Sequence, residues 1–226
     1  GLFIARKQTQ GRGRSGRHFH SDIASGLYLS VVFQPQVTDL EEVPQYTLLA
    51  ASAMVSALEA ASGQKVRIKW VNDLFCRGRK IAGILTEATT DIESRSLSSI
   101  IIGIDLNLSG DFSQAEAATQ SVAGTLFGQE MPADFNPNQV IHDFLKQLAY
   151  YIRTLSDKTY LPHYEEHLLG VGRQVSYQQA GQEYTGIIQG ITDQGHLLIQ
   201  DPHGQIRTLF SQEVHFSSQQ FADDID

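Results

Sequence analysis

The spacing of apolar residues changes period several times along the chain. Leu2-Phe3-Ile4-Ala5 is a short apolar run and predicts a strand. Leu27 to Phe33 is rich in aromatic and β-branched side chains and predicts a buried strand. The period then lengthens. Leu48, Leu49, Val55 and Leu58 recur at helical spacing behind Pro44, and Gly63 stands just past the last turn. Proline at the start and glycine after the end predict a long helix between them, and its many alanines allow close packing. Alternation returns in Val66-Arg67-Ile68-Lys69-Trp70 and again from Ile81 to Thr86, with Asn72-Asp73 and Gly78 as punctuation, which predicts a hairpin. Ser99 to Leu108 is apolar at its start and alternating at its end. It predicts a central strand that presents Asp105 and Asn107 near a site. Residues 110–133 have no clear period. Asn136-Pro137 opens a helix through Ile141, Phe144, Leu145, Leu148 and Ile152, and a second helix is expected over about Tyr160 to Leu169.

The character changes at Gly170. Short alternating segments follow at Gln174–Tyr177, Tyr184–Ile188, Leu197–Ile199 and Ile206–Phe210. Ala180-Gly181, Asp193-Gln194-Gly195 and Asp201-Pro202-His203-Gly204 separate them. This is the pattern of a small all-β barrel. The expected organisation is a mixed α+β domain over 1–169, a small β-barrel over 170–217, and a polar, acidic tail over 218–226 that frays.

The chain has 226 residues, 41% apolar and 19% charged, which suits a folded core and excludes wholesale disorder. No apolar run approaches the roughly 18 residues a membrane span needs, and no signal peptide is visible. A single cysteine, Cys76, excludes an internal disulfide and the Cys₄ and Cys₂His₂ zinc sites, and fits a reducing compartment. It reads as a small half-buried residue without a role. The net charge of −8 argues against general nucleic-acid binding. That charge is uneven. Residues 1–18 hold Arg6, Lys7, Arg12, Arg14 and Arg17 and no acid, while the rest holds 12 basic and 25 acidic residues. One basic segment in an acidic chain points to a local anion site.

That segment is Gly11-Arg12-Gly13-Arg14-Ser15-Gly16-Arg17. It matches G-x-G-x-x-G formally, but Arg17-His18-Phe19-His20-Ser21-Asp22 does not start the helix a dinucleotide site requires. Arg17-His18 also stands where a P-loop has Lys-Ser/Thr. A flexible Arg-Gly linker touching RNA is the plainer alternative. The better reading is a loop that closes over an anionic ligand, with arginine forks on phosphate oxygens and glycines admitting the backbone. A second cluster, Lys69-Trp70-Val71-Asn72-Asp73 with Arg79-Lys80-Ile81-Ala82-Gly83-Ile84-Leu85, is ordinary turn chemistry when taken alone. His163-Tyr164-Glu165-Glu166-His167 matches H-x-x-E-H, but no third ligand accompanies it. A polar helix face is expected there, and no metal site.

Taken together, the clusters resemble the biotin protein ligase family. Gln8 to Arg17 is similar to that family's biotin- and adenylate-binding loop, and Lys69-Trp70-Val71-Asn72-Asp73 to its K-W-P-N-D segment. Arg79 to Leu85 is similar to its R-K-x-A-G-I-L strand, and Ile102-Gly103-Ile104-Asp105-Leu106-Asn107 to its G-I-G-I-N strand. The resemblance implies a mixed β-sheet with flanking helices, like class II aminoacyl-tRNA synthetases, followed by a small SH3-like β-barrel. It implies an ATP-dependent ligase that makes biotinyl-5′-AMP and then transfers biotin to a lysine of a carboxylase's carrier domain. ATP and Mg²⁺ are the implied cofactors. Lys80, Arg14 and Asp73 would be catalytic. Gln8, Gly11, Arg12, Gly13, Arg14, Phe19, Lys69, Asn72, Lys80, Gly83 and Asn107 would bind biotin, ATP or the adenylate. A cytoplasmic enzyme without a membrane span or a DNA-binding domain in this chain is implied, with a homodimer left open. A lipoate or octanoate ligase and a non-catalytic biotin-binding regulator are the alternatives. The sequence departs from the family at Val71, where proline is usual, and at Asp105, where glycine is usual. The chain also starts too late to include the upstream strand and Ser/Thr-Asn segment expected in the family.

Overall fold

The structure is a computed structural model that describes residues 1–5, 8, 25–35, 42–91 and 97–222. Six antiparallel strands make the main sheet: β1 (Leu2–Ala5), β2 (Ser25–Phe33), β3 (Arg67–Lys69), β4 (Asp73–Cys76), β5 (Arg79–Thr90) and β6 (Leu97–Ser109). Their spatial order is β1-β2-β6-β5-β4-β3. β6 explains why the sheet has two unlike faces. Ile100, Ile102, Ile104 and Leu106 are completely buried, while Gly103 and Asp105 point the other way and are only half-buried. Their partners follow suit: Ala82 and Ile84 on β5 and Leu27 and Leu29 on β2 share the buried face.

Helix α1 (Val43–Ser62) covers that face. It is buried from Gln45 to Leu58 on nearly every side. Its alanines let the sheet approach on one side and α3 (Pro137–Arg153) on the other. Gly63 ends it in the left-handed conformation (φ 66°) and donates its N–H to the Glu59 carbonyl at 2.9 Å, a role only glycine fills without strain. Between β6 and α3 lies the short α2 (Ala117–Gln120). The Asn136 side chain caps α3 by accepting the Asn138 N–H at 3.0 Å. Helix α4 (Leu161–Glu166) ties to α1 through Tyr160, whose hydroxyl donates to Gln45 Oε1 at 2.9 Å. None of the described helices is long and apolar enough to cross a membrane.

A second antiparallel sheet holds β7 (Gln174–Gln179), β8 (Gln182–Ile191), β9 (Leu197–Gln200), β10 (Ile206–Leu209) and β11 (Val214–His215), in the order β10-β9-β8-β7-β11. It sits against the start of the β3–β4 turn. Trp70 Nε1–H donates to the Gly195 carbonyl at 2.9 Å, and the Trp70 ring meets Phe216 edge-on at 6.2 Å.

Five expectations are corrected. The hairpin is a three-strand meander, because Asp73 begins β4 and does not remain in the turn. The second late helix is shorter than Tyr160 to Leu169, because Leu169 N–H turns to the Ile68 carbonyl and Ile68 N–H to the His167 carbonyl, extending the sheet edge. The tail is ordered at its start. Ser218–Phe221 forms a 3₁₀ turn and Phe221 is 2% exposed, so an apolar anchor overrides the polar composition. His163 and His167 do not lie on a solvated face. Their rings stack at 4.2 Å between α4 and α1, with His163 Nε2 3.1 Å from Ser56 Oγ and His167 Nε2 3.3 Å from Glu59 Oε2. Burial pushes the His163 pKa down, and neighbouring His167 adds to this. Cys76 is fully buried, and burial pushes its thiol up, away from reactivity.

Candidate active site

The face of the sheet opposite α1 carries the candidate chemistry. Strand register sets one row across it: Tyr28 on β2, Asp105 on β6, Gly83 on β5, Asp73 on β4 and Lys69 on β3. Lys80 joins this row by an irregularity. Strict alternation would put residues 80 and 83 on opposite faces. The β4–β5 register jumps instead, with Leu74 opposite Ala82 but Phe75 opposite Lys80, so Ile81 is the extra residue of a bulge. The bulge turns Lys80 over Gly83. Its Nζ stands 3.6 Å from where a Gly83 Cβ would be, and 2.6 Å from Asp73 Oδ1. The backbone of Lys80 is held on its outer side as well. Its N–H donates to the Val122 carbonyl at 2.9 Å, and Gly124 N–H donates to its carbonyl at 2.8 Å. The ammonium is therefore positioned before any ligand arrives.

Beside Lys80 the face is low. Gly83 and Gly103 have no side chains, and a Cβ at either would meet neighbours only at 3.6 Å or beyond. Ser30 stands opposite Gly103 on β2. Toward the Ser25 end, Tyr28, Asn107, Phe112 and Thr125 border a small cleft.

Asp105 lies in the middle of the row. Gln8 Nε2 donates to its Oδ1 at 2.5 Å. Burial pushes its carboxyl up to about 6, against the opposing pull of the Gln8 hydrogen bond and the Lys80 charge. A folded-state pKa above the ordinary carboxylate value means that ionised Asp105 disfavours the fold. The cost is absent well below pH 4 and grows as pH rises through about 6. Asp105→Asn keeps an acceptor for Gln8 and removes the charge. It is expected to stabilise the chain at pH 8, on the order of 1–3 kcal/mol, and much less at pH 4. Thermal unfolding at the two pH values tests this, and an equal gain at both would count against it.

Of the residues singled out in the sequence, the fold brings Gln8, Asp73, Lys80 and Gly83 together on this face. Lys69 lies at the row's end and faces inward. It is 8% exposed and donates to the Phe216 carbonyl at 3.0 Å and Ser218 Oγ at 2.8 Å, with Asp73 Oδ2 at 3.8 Å. Asn72 Nδ2 donates to the Ile84 carbonyl at 2.7 Å and Asn107 Nδ2 to the Gly124 carbonyl at 3.2 Å, so both brace the framework around Lys80. Gly11, Arg12, Gly13, Arg14 and Phe19 lie outside the described residues. The peptide bond Trp70–Val71 is cis, and the Val71 carbonyl accepts the Tyr164 hydroxyl at 2.9 Å. Tyr28, Ser30 and Gly103 were not singled out. Their signal is positional: they alternate with buried Leu27, Leu29, Ile102 and Ile104 on paired strands.

A preset ammonium beside a side-chain-free shelf suits an anionic ligand lying flat on the sheet. Among the described residues no group of three His, Cys, Asp or Glu is arranged to hold a metal ion.

Known proteins share both sequence and fold with this chain. Residues 1–107 match the Biotin/lipoate A/B protein ligase family and residues 170–217 the Biotin protein ligase C terminal domain. The chain is 32% identical over 216 residues to the bifunctional ligase/repressor BirA of Bacillus subtilis, covering 94% of this chain and 65% of that protein. The chain thus spans about two thirds of the length of such relatives. It is 28% identical to the biotin–[acetyl-CoA-carboxylase] ligase of Paracoccus denitrificans, covering 94% of this chain and 89% of that one. Its fold is similar to the Aquifex aeolicus biotin protein ligase solved in complex with biotin and ATP, with TM-score 0.75, 26% identity, and coverage of 96% and 89% of the two chains.

Proposed function

Since this chain belongs to the biotin protein ligase family, we propose that it is an ATP-dependent ligase that attaches biotin to a lysine of a carboxylase's carrier domain. The observation that carries this reading is the Lys80 ammonium held over bare Gly83 by Asp73 at 2.6 Å. In the first half-reaction a biotin carboxylate oxygen attacks the α-phosphorus of ATP. The bond to the β-phosphate oxygen breaks, and pyrophosphate leaves with its electron pair. Negative charge gathers on the α-phosphoryl oxygens and the carboxylate, where Lys80 offers a fixed cation. In the second half-reaction the carrier's lysine amine attacks the carbonyl of biotinyl-5′-AMP. AMP leaves, and the amine gives up a proton.

Asp73 has two tasks in this scheme. It orients Lys80 through the short ion pair, and it offers a carboxylate near the incoming amine. Arg12 and Arg14 would clamp phosphates from the Gly-Arg loop, with Gly11 and Gly13 admitting the ligand and Phe19 near the base. Mg²⁺ would enter with ATP, held mainly by phosphate oxygens. Residues 1–169 would form the ligand-binding unit and 170–217 the small β unit, in a cytoplasmic enzyme.

The test uses the chain with biotin, Mg·ATP and the carrier domain of acetyl-CoA carboxylase, read by intact mass. One biotinyl group on one lysine, dependent on both small molecules, is expected. A carrier left unmodified by biotin but acylated when lipoate replaces it would assign the chain to the other branch of its family.

A further inference from the structure

Asp105 is an unusual group to find in this site. The ligands proposed above bring a carboxylate and phosphates, so a carboxylate in mid-face is a burden unless it recognises something. Its surroundings say what that is. Gln8 and Asp105 come from distant parts of the chain, yet the Gln8 amide N–H is bonded to Asp105 Oδ1. A carboxylate accepts only, so it holds the amide with its nitrogen inward and fixes which end of Gln8 its neighbours meet. Among the described residues Gln8 is the one hydrogen-bond donor to Asp105, and a carboxylate has capacity for several more. The position fits a ligand's far end. Lys80 stands over β5, Asp105 on β6 and Tyr28 on β2, and two strand spacings of about 4.8 Å put roughly 10 Å between the outer two. An acid whose carboxylate meets Lys80 would carry its head group toward Asp105 and Gln8.

We propose that Asp105, together with the Gln8 amide it orients, is a specificity determinant of this site that selects a ligand head group bearing N–H donors, such as a cyclic urea, over one that has none. This rests on the ligase reading above. It also makes binding pH-dependent, because only ionised Asp105 accepts in full. The titratable groups around it are Lys80 on β5, Asp73 on β4 beyond Gly83, and Tyr28 on β2. Burial raises the Asp105 carboxyl to about 6, within reach of ordinary buffers.

Calorimetry with biotin, lipoate and ATP, from pH 5 to pH 8, tests the proposal on the chain and on Asp105→Asn. The unaltered chain should bind biotin more tightly as pH rises through about 6, while its lipoate affinity changes little. Asp105→Asn should weaken biotin about tenfold or more at pH 8, flatten the pH dependence, narrow the preference for biotin over lipoate by the same factor, and leave ATP affinity within about twofold. Because this variant is expected to gain stability, loss of fold does not confuse the result. If the unaltered chain binds biotin but the variant keeps its affinity, preference and pH profile, the role of Asp105 is refuted while the ligase reading stands. If the unaltered chain binds no biotin at any pH, both fall.

Discussion

Lys80→Ala should lower biotinyl-5′-AMP formation by about 10²–10³-fold, the loss typical of removing one preset charge-stabilising donor. The structure gives three reasons for so large an effect. The Lys80 backbone is held by Val122 and Gly124 and its ammonium by Asp73 at 2.6 Å, so little reorganisation precedes its use. Its neighbour Lys69 cannot substitute, because it is 8% exposed and bonded to the Phe216 carbonyl and Ser218 Oγ. Removing Lys80 also leaves the Asp73 and Asp105 carboxylates facing a bound anion without their shared cation. ATP binding measured alone should suffer less, since the loop arginines would still hold the phosphates. A variant with near-normal adenylation would remove Lys80 from the mechanism.

Gly83→Val should abolish measurable biotin binding, at least about 10²-fold, while leaving the fold intact. Gly83 lies within β5, and a branched side chain suits strand geometry. A Cβ there meets Lys80 Nζ at 3.6 Å and Asp73 Oδ1 at 3.9 Å, both ordinary contacts. The valine methyls would then stand on the shelf where the ligand lies. Gly83→Ala, one carbon smaller, should show a milder loss. Melting temperature and calorimetric affinity on the same samples separate the two effects. Normal biotin affinity in a folded Gly83→Val chain would mean that the ligand does not use this face.

Much of the scaffold is legible in the residues because local signals agree with tertiary demands there. Pro44 and Gly63 frame α1, and the isoleucines of β6 alternate against Gly103 and Asp105. The site is less legible. Alternation alone sends Lys80 to the wrong face, and only the bulge at Ile81 reverses it, a backbone event with no mark of its own in the sequence. Asn72-Asp73 carries turn chemistry, yet Asp73 starts a strand because pairing with both β3 and β5 outweighs its propensity. The motif resemblance supplied what periodicity could not, by placing Lys80 and Gly83 in one segment. It was less informative about Lys69, Asn72 and Asn107, whose side chains bond the framework around the site. Phe221 was the one aromatic in a polar tail, and a single aromatic has no period to read.

The central claim is that this face activates biotin with ATP. Isotope exchange between labelled pyrophosphate and ATP, run with biotin, with lipoate and with neither acid, tests it most directly. Exchange that requires biotin, is not supported by lipoate and collapses in Lys80→Ala is the expected result. Exchange supported by lipoate and not by biotin, or exchange with biotin that is indifferent to Lys80, would contradict it.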